Sequence, residues 1–297
     1  MTRDERFTAL ALVIPVALLS VFIYYPAIRT FLVSFTSLDL RAPLNNHVVL
    51  LGNYGRLLTR PEFWQVTGRT LAIVAMVLVV ETLLGFFIAL LLNQKFPGRG
   101  VLRALVILPW MLPPVVNGFL WNWVLNGEYG ALDGLLYQLG LIDSYHFWLQ
   151  NPGAQLRWAA LVQTWTRFAF PTIIMLAGLQ SIPRELYQVA DVDGAGPLAR
   201  LRRITIPMLM PSIAVALTVE FISAFQIFDV VWTLTSGGNA GNVINPFTKT
   251  LMVYNYQVVF RDLKLGLGSA LAYLILLMSL GAGYFFVRNL YARAVER

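Results

Sequence analysis

The run from Phe7 to Ile28 holds 22 residues without a charged side chain, and Leu265 to Val287 is equally free of charge. A helix needs about 20 mostly apolar residues to cross the hydrocarbon layer of a bilayer. Each run is long enough. Only 12% of the 297 residues are charged and 58% are hydrophobic, whereas a soluble domain is about 25% charged. A water-soluble fold would lack the polar side chains to cover its exterior, and a disordered chain would carry far less apolar surface. Backbone groups in lipid must be satisfied within the segment, which selects helices. A β-barrel would instead show short alternating stretches. The expected class is an all-α polytopic membrane protein.

Six spans are expected: Phe7–Ile28, about Thr70–Asn93 with Glu81 inside it, and about Ala104–Leu125. The others are about Trp158–Gln180 with Arg167, about Met208–Thr235 with Glu220 and Asp229, and Leu265–Val287. The first is too long for a signal-peptide core and lacks a small-residue cleavage site, so it reads as retained. Six spans place both termini on one side. That side takes Arg3 and Arg6, then Lys95, Arg99 and Arg103, then Arg184, Arg200, Arg202 and Arg203, and finally Arg288, Arg293 and Arg297. Twelve of the 22 basic residues thus fall in about 52 positions, against eight in about 98 on the other side. Lys and Arg collect on the cytoplasmic side, so both termini are expected there. The net charge of +7 is then a matter of topology rather than of a nucleic-acid partner. There is no cysteine, and His47 and His146 fall in loops as ordinary surface residues.

The loop between spans four and five is the most elaborate on the cytoplasmic side. Pro183 suits the first turn of a helix that Arg184 to Val192 can continue. Gly194 suits a left-handed residue that ends it. Leu198 to Ile206 can begin a second helix before Pro207.

This segment resembles the cytoplasmic coupling loop of binding-protein-dependent ABC importer permeases. The family pattern is Glu-Ala-Ala, three residues, Gly, nine residues, then Ile-x-Leu-Pro. Gln188-Val189-Ala190, Gly194 and Ile204-Thr205-Ile206-Pro207 stand at those positions with that spacing. Gln188 replaces the family glutamate and Val189 the first alanine. Further likeness lies in Ile182–Tyr187 and in Leu51-Gly-Asn-Tyr54 before span two, where Arg69-Thr70 stands in place of the usual Asn-Thr. It continues in Leu108-Pro-Trp-Met-Leu-Pro-Pro114, in Phe225 to Asp229 and then Leu234-Thr-Ser-Gly-Gly238, and in Gly266–Leu271. The closest likeness is to the carbohydrate-uptake type, related to maltose and glycerol-phosphate permeases.

The resemblance implies a type I importer-like permease fold in a bacterial inner membrane. Residues 1–65 would hold span one and an external loop, 66–290 the permease core with its coupling loop at 182–207, and 291–297 a tail. The partners implied are a second, related permease, two ATPase subunits, an extracytoplasmic solute-binding protein and a sugar-like substrate. ATP and Mg would sit on the ATPases and no cofactor on this chain, which contains no Gly-x4-Gly-Lys-Ser/Thr phosphate loop. Arg184, Glu185, Gln188, Val189, Ala190, Asp193, Gly194 and Ala195 would couple to the ATPase.

Charged residues inside spans are costly and are usually paired or functional. Glu81, Arg167 and Glu220 are candidates for intramembrane ion pairing. Read as one helix, span five puts Gln226 and Asp229 on a shared face and Glu220 opposite Asp229. With Phe225 and Trp232, and with Asn117 and Trp121 one turn apart on span three, these residues supply hydrogen-bonding groups and aromatic faces. Sugar binding needs both, so the six are the candidate substrate path. Trp121 and Trp232 also fit a membrane-interface belt. Pro109, Pro113 and Pro114 should kink or unwind span three. The alternative reading is a self-powered secondary transporter or channel in which an intramembrane acid carries an ion. An intramembrane enzyme has little to work with, since no span contains histidine and the chain has no cysteine.

Overall fold

The computed structural model describes residues 11–13, 15–235, 245–286 and 288. Arg3, Arg6, Arg293, Arg297, the Ser236-Gly-Gly238 match and the 291–297 tail lie outside them. The described residues are helical throughout, apart from turns and one isolated antiparallel bridge between Thr36 and Val48. They form two compact units, Met1–Trp64 with Tyr254–Met278, and Gln65–Val253 with Ser279–Arg297.

In the first unit, α1 (Ala11–Ser34) presents its apolar side chains outward; Phe22 is 73% exposed. α2 (Gly52–Leu58) explains the Leu-Gly-Asn-Tyr run. Asn53 is buried and its amide donates to the carbonyls of Ser34 and Thr36, each at 2.8 Å, capping the end of α1. Tyr54 and Ser34 hydroxyls meet at 2.8 Å. α13 (Leu265–Phe286) starts on the same loop, with the Gly266 N–H donating to the Leu38 carbonyl at 3.0 Å. A Cβ on Gly266 would lie 2.0 Å from the Thr36 carbonyl oxygen. No other residue fits there without moving backbone.

In the second unit, α3 (Pro61–Asn93) begins more than two turns before the expected Thr70. Pro61 favours the first turn, and Glu62 suits the positive end of a helix. α4 (Arg99–Met111) and α5 (Pro114–Val124) form a pair bent by 97°. Leu112 and Pro113 are both extended there. A proline forces its predecessor out of the α region, and two in succession do so twice.

After α6 (Ala131–Gln138), span four is divided into α7 (Pro152–Arg167) and α8 (Ala169–Ser181). The cause is Pro171, which has no N–H to give the carbonyl of Arg167 four residues back. Span five is divided as well: α10 (Pro197–Phe225), with a π turn over Leu201–Thr205, stops before Gln226, and α11 (Asp229–Thr235) is separate. The carbonyl of Ile227, freed at the break, accepts the buried Thr250 hydroxyl at 3.0 Å. Asp229 opens α11, where an acid favours a helix start. α12 (Leu251–Tyr256) follows.

Close glycine contacts bind the second unit. A Cβ on Gly85 of α3 would meet Pro171 of α8 at 3.1 Å, and one on Gly178 of α8 would meet the Ser212 hydroxyl of α10 at 2.3 Å. One on Gly118 of α5 would fall 1.8 Å from the Thr233 hydroxyl of α11. Ala89, Met175, Leu179, Ile182 and Leu209 form the core that these approaches permit. Among the described residues, four helices (α1, α3, α10 and α13) are long and apolar enough to cross a membrane, or five spans if the α4–α5 pair counts as one.

Candidate functional site

α9 spans Arg184–Val192 with Pro183 at its N-cap, as the sequence predicts. It ends in a Schellman motif. The Ala195 N–H donates to the Ala190 carbonyl at 2.8 Å, the Gly194 N–H to that of Asp191 at 3.1 Å, and Gly194 is left-handed at φ +71°. A Cβ on Gly194 would meet nothing within 4 Å, so the turn stands clear of the rest of the chain.

One face of α9 is anchored. Tyr187 packs on the core around Met175 and Leu179, and its hydroxyl meets that of Thr205 at 3.0 Å. Asp191 accepts from Arg200 across the turn. The other face is open. Leu186, Val189 and Val192, three apart, are exposed, Val189 by 60% and Val192 by 89%. Arg184, Glu185, Gln188, Asp193 and Gly194 are exposed beside them, and Ala190 and Ala195 are half-buried. The loop is thus a short helix fixed on one side to the bundle, with an apolar stripe presented on the other.

Inside the bundle, Arg167 holds Glu220 through a fork, Nε to Oε2 at 2.8 Å and a terminal nitrogen to Oε1 at 3.3 Å. Glu81 stands outside that pair. It is 1% exposed, and neither of its oxygens has a hydrogen-bond partner. It nevertheless lies close enough to feel both charges. Of the three candidates for intramembrane ion pairing, Arg167 and Glu220 form a pair and Glu81 is a buried carboxyl outside it.

The six residues of the candidate substrate path are not brought together on one face. The break at Gln226 removes the helical register that joined Gln226 to Asp229 and opposed Glu220 to Asp229. Gln226 is exposed at the break, while Phe225 is 1% exposed and stacks on Phe221. Trp232 stacks on Phe228. Asn117 is fully buried, and its amide donates to the Pro109 carbonyl at 3.1 Å and to that of Leu112 at 3.4 Å, bracing the bend between α4 and α5. Its own carbonyl oxygen is unpartnered.

Trp121 lines an apolar cavity of about 420 Å³ with Trp158 and Trp165, and its indole N–H has no partner. Sequence reasoning passed over Trp158 and Trp165, although their spacing of two helical turns was the available signal. Beyond the end of α5 lies a more polar cleft of about 390 Å³, lined by Asn122, Asn126, Glu128, Tyr129, Phe147 and Gln150 among others. The Asn126-Gly-Glu-Tyr run is a built turn there, its Asn126 side chain accepting from the N–H groups of Glu128 and Tyr129.

A model of the binding-protein-dependent transport system inner membrane component family matches residues 81–297. The sulfoquinovosyl glycerol transport system permease protein SmoG of Agrobacterium fabrum is 36% identical over 277 residues, which cover 93% of this chain and 88% of that protein. The trehalose/maltose transport system permease protein MalF of Thermococcus litoralis is 34% identical over 278 residues, covering 94% and 91%. In fold, a chain of the bacterial alginate ABC transporter, solved with its alginate pentasaccharide-bound periplasmic protein, superposes with a TM-score of 0.79. The two are 20% identical and the match covers 96% of this chain and 94% of that one.

Proposed function

This chain belongs to the family of binding-protein-dependent transport system inner membrane components, and from that premise we propose that it is the sugar-conducting permease subunit of an ATP-driven importer. Relatives named for trehalose, maltose and a sulfoquinovosyl glycoside support a sugar or glycoside as the solute. The observation that carries the energetic half of the reading is α9. A helix anchored through Tyr187 and open along Leu186, Val189 and Val192 is suited to receive force from a partner and pass it into the core.

In this reading α1, α3, α4–α5, α7–α8, α10 with α11, and α13 are the six spans, with both termini in the cytoplasm of a bacterial inner membrane. Residues 1–65 precede the permease core at 66–290, and 291–297 form the tail. Arg184, Glu185, Gln188, Val189, Ala190, Asp193, Gly194 and Ala195 seat the loop on an ATPase. Two ATPase subunits hold ATP and Mg, a second permease completes the path, and a solute-binding protein delivers the sugar. This chain carries no ATPase site and no cofactor of its own. Asn117, Trp121, Phe225, Gln226, Asp229 and Trp232 lie along the path, with Asn117 acting by holding the bend rather than by hydrogen-bonding sugar through its amide nitrogen. ATP-driven closure then biases one two-state permease pair between inward- and outward-facing forms.

The test is reconstitution in proteoliposomes with the permease, ATPase and binding-protein partners. ATP hydrolysis should rise with binding protein loaded with trehalose, maltose or another glycoside from a panel. Sugar uptake by this chain alone, driven by an ion gradient, would instead establish a secondary transporter.

A further inference from the structure

Two charged side chains meet in the interior of the second unit, Arg167 at the end of α7 and Glu220 of α10, and a third, Glu81 of α3, is buried near enough to feel both. The register is fixed by packing independently of the charges. Gly85 of α3 lies against Pro171, and Ala89 packs with Met175 one turn further along both helices. Glu81 lies one turn before Gly85 on α3, within reach of the charges of both Arg167 and Glu220. In this structure the guanidinium gives its fork to Glu220. Glu81 is equally buried and has no hydrogen-bond partner on either oxygen. A buried carboxyl without a partner is costly, and a lone arginine between two carboxyls can satisfy only one of them with both arms.

We propose that Glu81 is the second seat of the Arg167 fork. Arg167 pairs with Glu220 in the conformation seen here and with Glu81 in the other conformation of the transport cycle. The arginine stands at a joint where such a change is cheap. Pro171 leaves the Arg167 carbonyl without its helical N–H, so α7 and α8 can tilt about Phe168 without breaking a regular ladder. α8 leads directly into α9, so force received at α9 reaches the residue that carries the fork. Glu81 and Glu220 thus act as positioning residues that set the balance between two states, and the barrier lies in moving one guanidinium between them. The proposal rests on the reading of the chain as an ATP-driven permease.

The absence of native cysteine allows clean spin labelling of this chain. Labels at N93C and M208C, both exposed and on α3 and α10, report the separation of the two acid-bearing helices in the assembled transporter in nanodiscs, with and without ATP. E81Q should shift the population by at least about tenfold toward the distance of the conformation seen here, because it removes the competing seat. E220Q should shift it by a similar factor in the opposite direction, and E81D should restore part of the wild-type balance.

A merely structural role predicts lower thermal stability in both variants with no opposed shift. Shifts of the same sign, or none, in a transporter whose wild-type distances respond to ATP would overturn the proposal and leave the permease reading standing. A wild-type distance unmoved by ATP would sink that reading and this proposal with it.

Discussion

Gly194 separates docking from folding more cleanly than any other residue of the α9 loop. Its φ of +71° is left-handed, and a Cβ there would meet nothing within 4 Å. For the isolated chain, replacement by a larger residue therefore costs only backbone strain, about 1–2 kcal/mol. In a bundle of this size that corresponds to a fall of roughly 2–8 °C in melting temperature. Gly140 supplies a matched control. It also ends a helical segment, its φ is +66°, and a Cβ on it would again meet nothing within 4 Å. In the proposed topology it lies on the other side of the membrane. G194V and G140V should thus lose similar stability as measured by thermal unfolding in detergent.

Their effects on the reconstituted complex should diverge. With valine at 194, the apolar stripe of α9 cannot seat against a partner, and ATP hydrolysis stimulated by loaded binding protein should drop by more than tenfold, an effect of about 1.4 kcal/mol or more. With valine at 140, stimulation should stay within about twofold of wild type, which is below 0.5 kcal/mol. Normal stimulation in G194V would refute the docking argument. Equal losses in both variants would show that strain alone, not a partner, sets the effect.

Further outcomes follow from the packing and the charges. R167A leaves Glu220 buried without its partner and should lower stability by about 3–5 kcal/mol, whereas R167M with E220L, which removes both charges, should cost far less; thermal unfolding of the purified chain compares them. G118A drives a Cβ to 1.8 Å from the Thr233 hydroxyl, and overpacking of this kind costs about 1–3 kcal/mol; T233G on the same background should return part of it in the same assay. In the loop after α1, Arg41 hydrogen-bonds the half-buried Asp39 and holds its carboxyl down at about 2, from an ordinary 3.8. A carboxyl lowered in the folded state stabilises it above about pH 4, and that stabilisation is lost as pH falls toward 2. The unfolding midpoint of D39N should therefore lose part of the pH dependence that wild type shows between pH 4 and 2.

The class of fold and the α9 loop were legible because each rests on local rules. Long uncharged runs demand lipid, and Pro183 and Gly194 bracket a helix by their own backbone preferences. The kink at Pro113-Pro114 was legible for the same reason. The breaks at Arg167 and Gln226 were not. Pro171 reads as one more proline in an apolar helix until its missing partner is traced four residues back. The break at Gln226 is stabilised by the Thr250 hydroxyl, which is 23 residues away in sequence. The face shared by Gln226 and Asp229 was expected on one unbroken helical register through that break, and the break removes it. The Arg167–Glu220 pair could be suspected from composition, but the choice between Glu81 and Glu220 depends on the packing of three helices, which no single segment encodes.

The bend between α4 and α5 has a consequence for the bilayer itself. At 1.5 Å per residue the 13 residues of α4 rise about 20 Å and the 11 of α5 about 16 Å. Turned by 97°, the two reach only about 25 Å from end to end, whatever direction is chosen, against a hydrocarbon thickness of about 30 Å. A straight helix of the same residues would have covered it. This element alone therefore covers less of the hydrocarbon layer than α3 or α10 can. The rest of that thickness must be spanned by its neighbours, and the bend that Asn117 pins sets how much they have to cover.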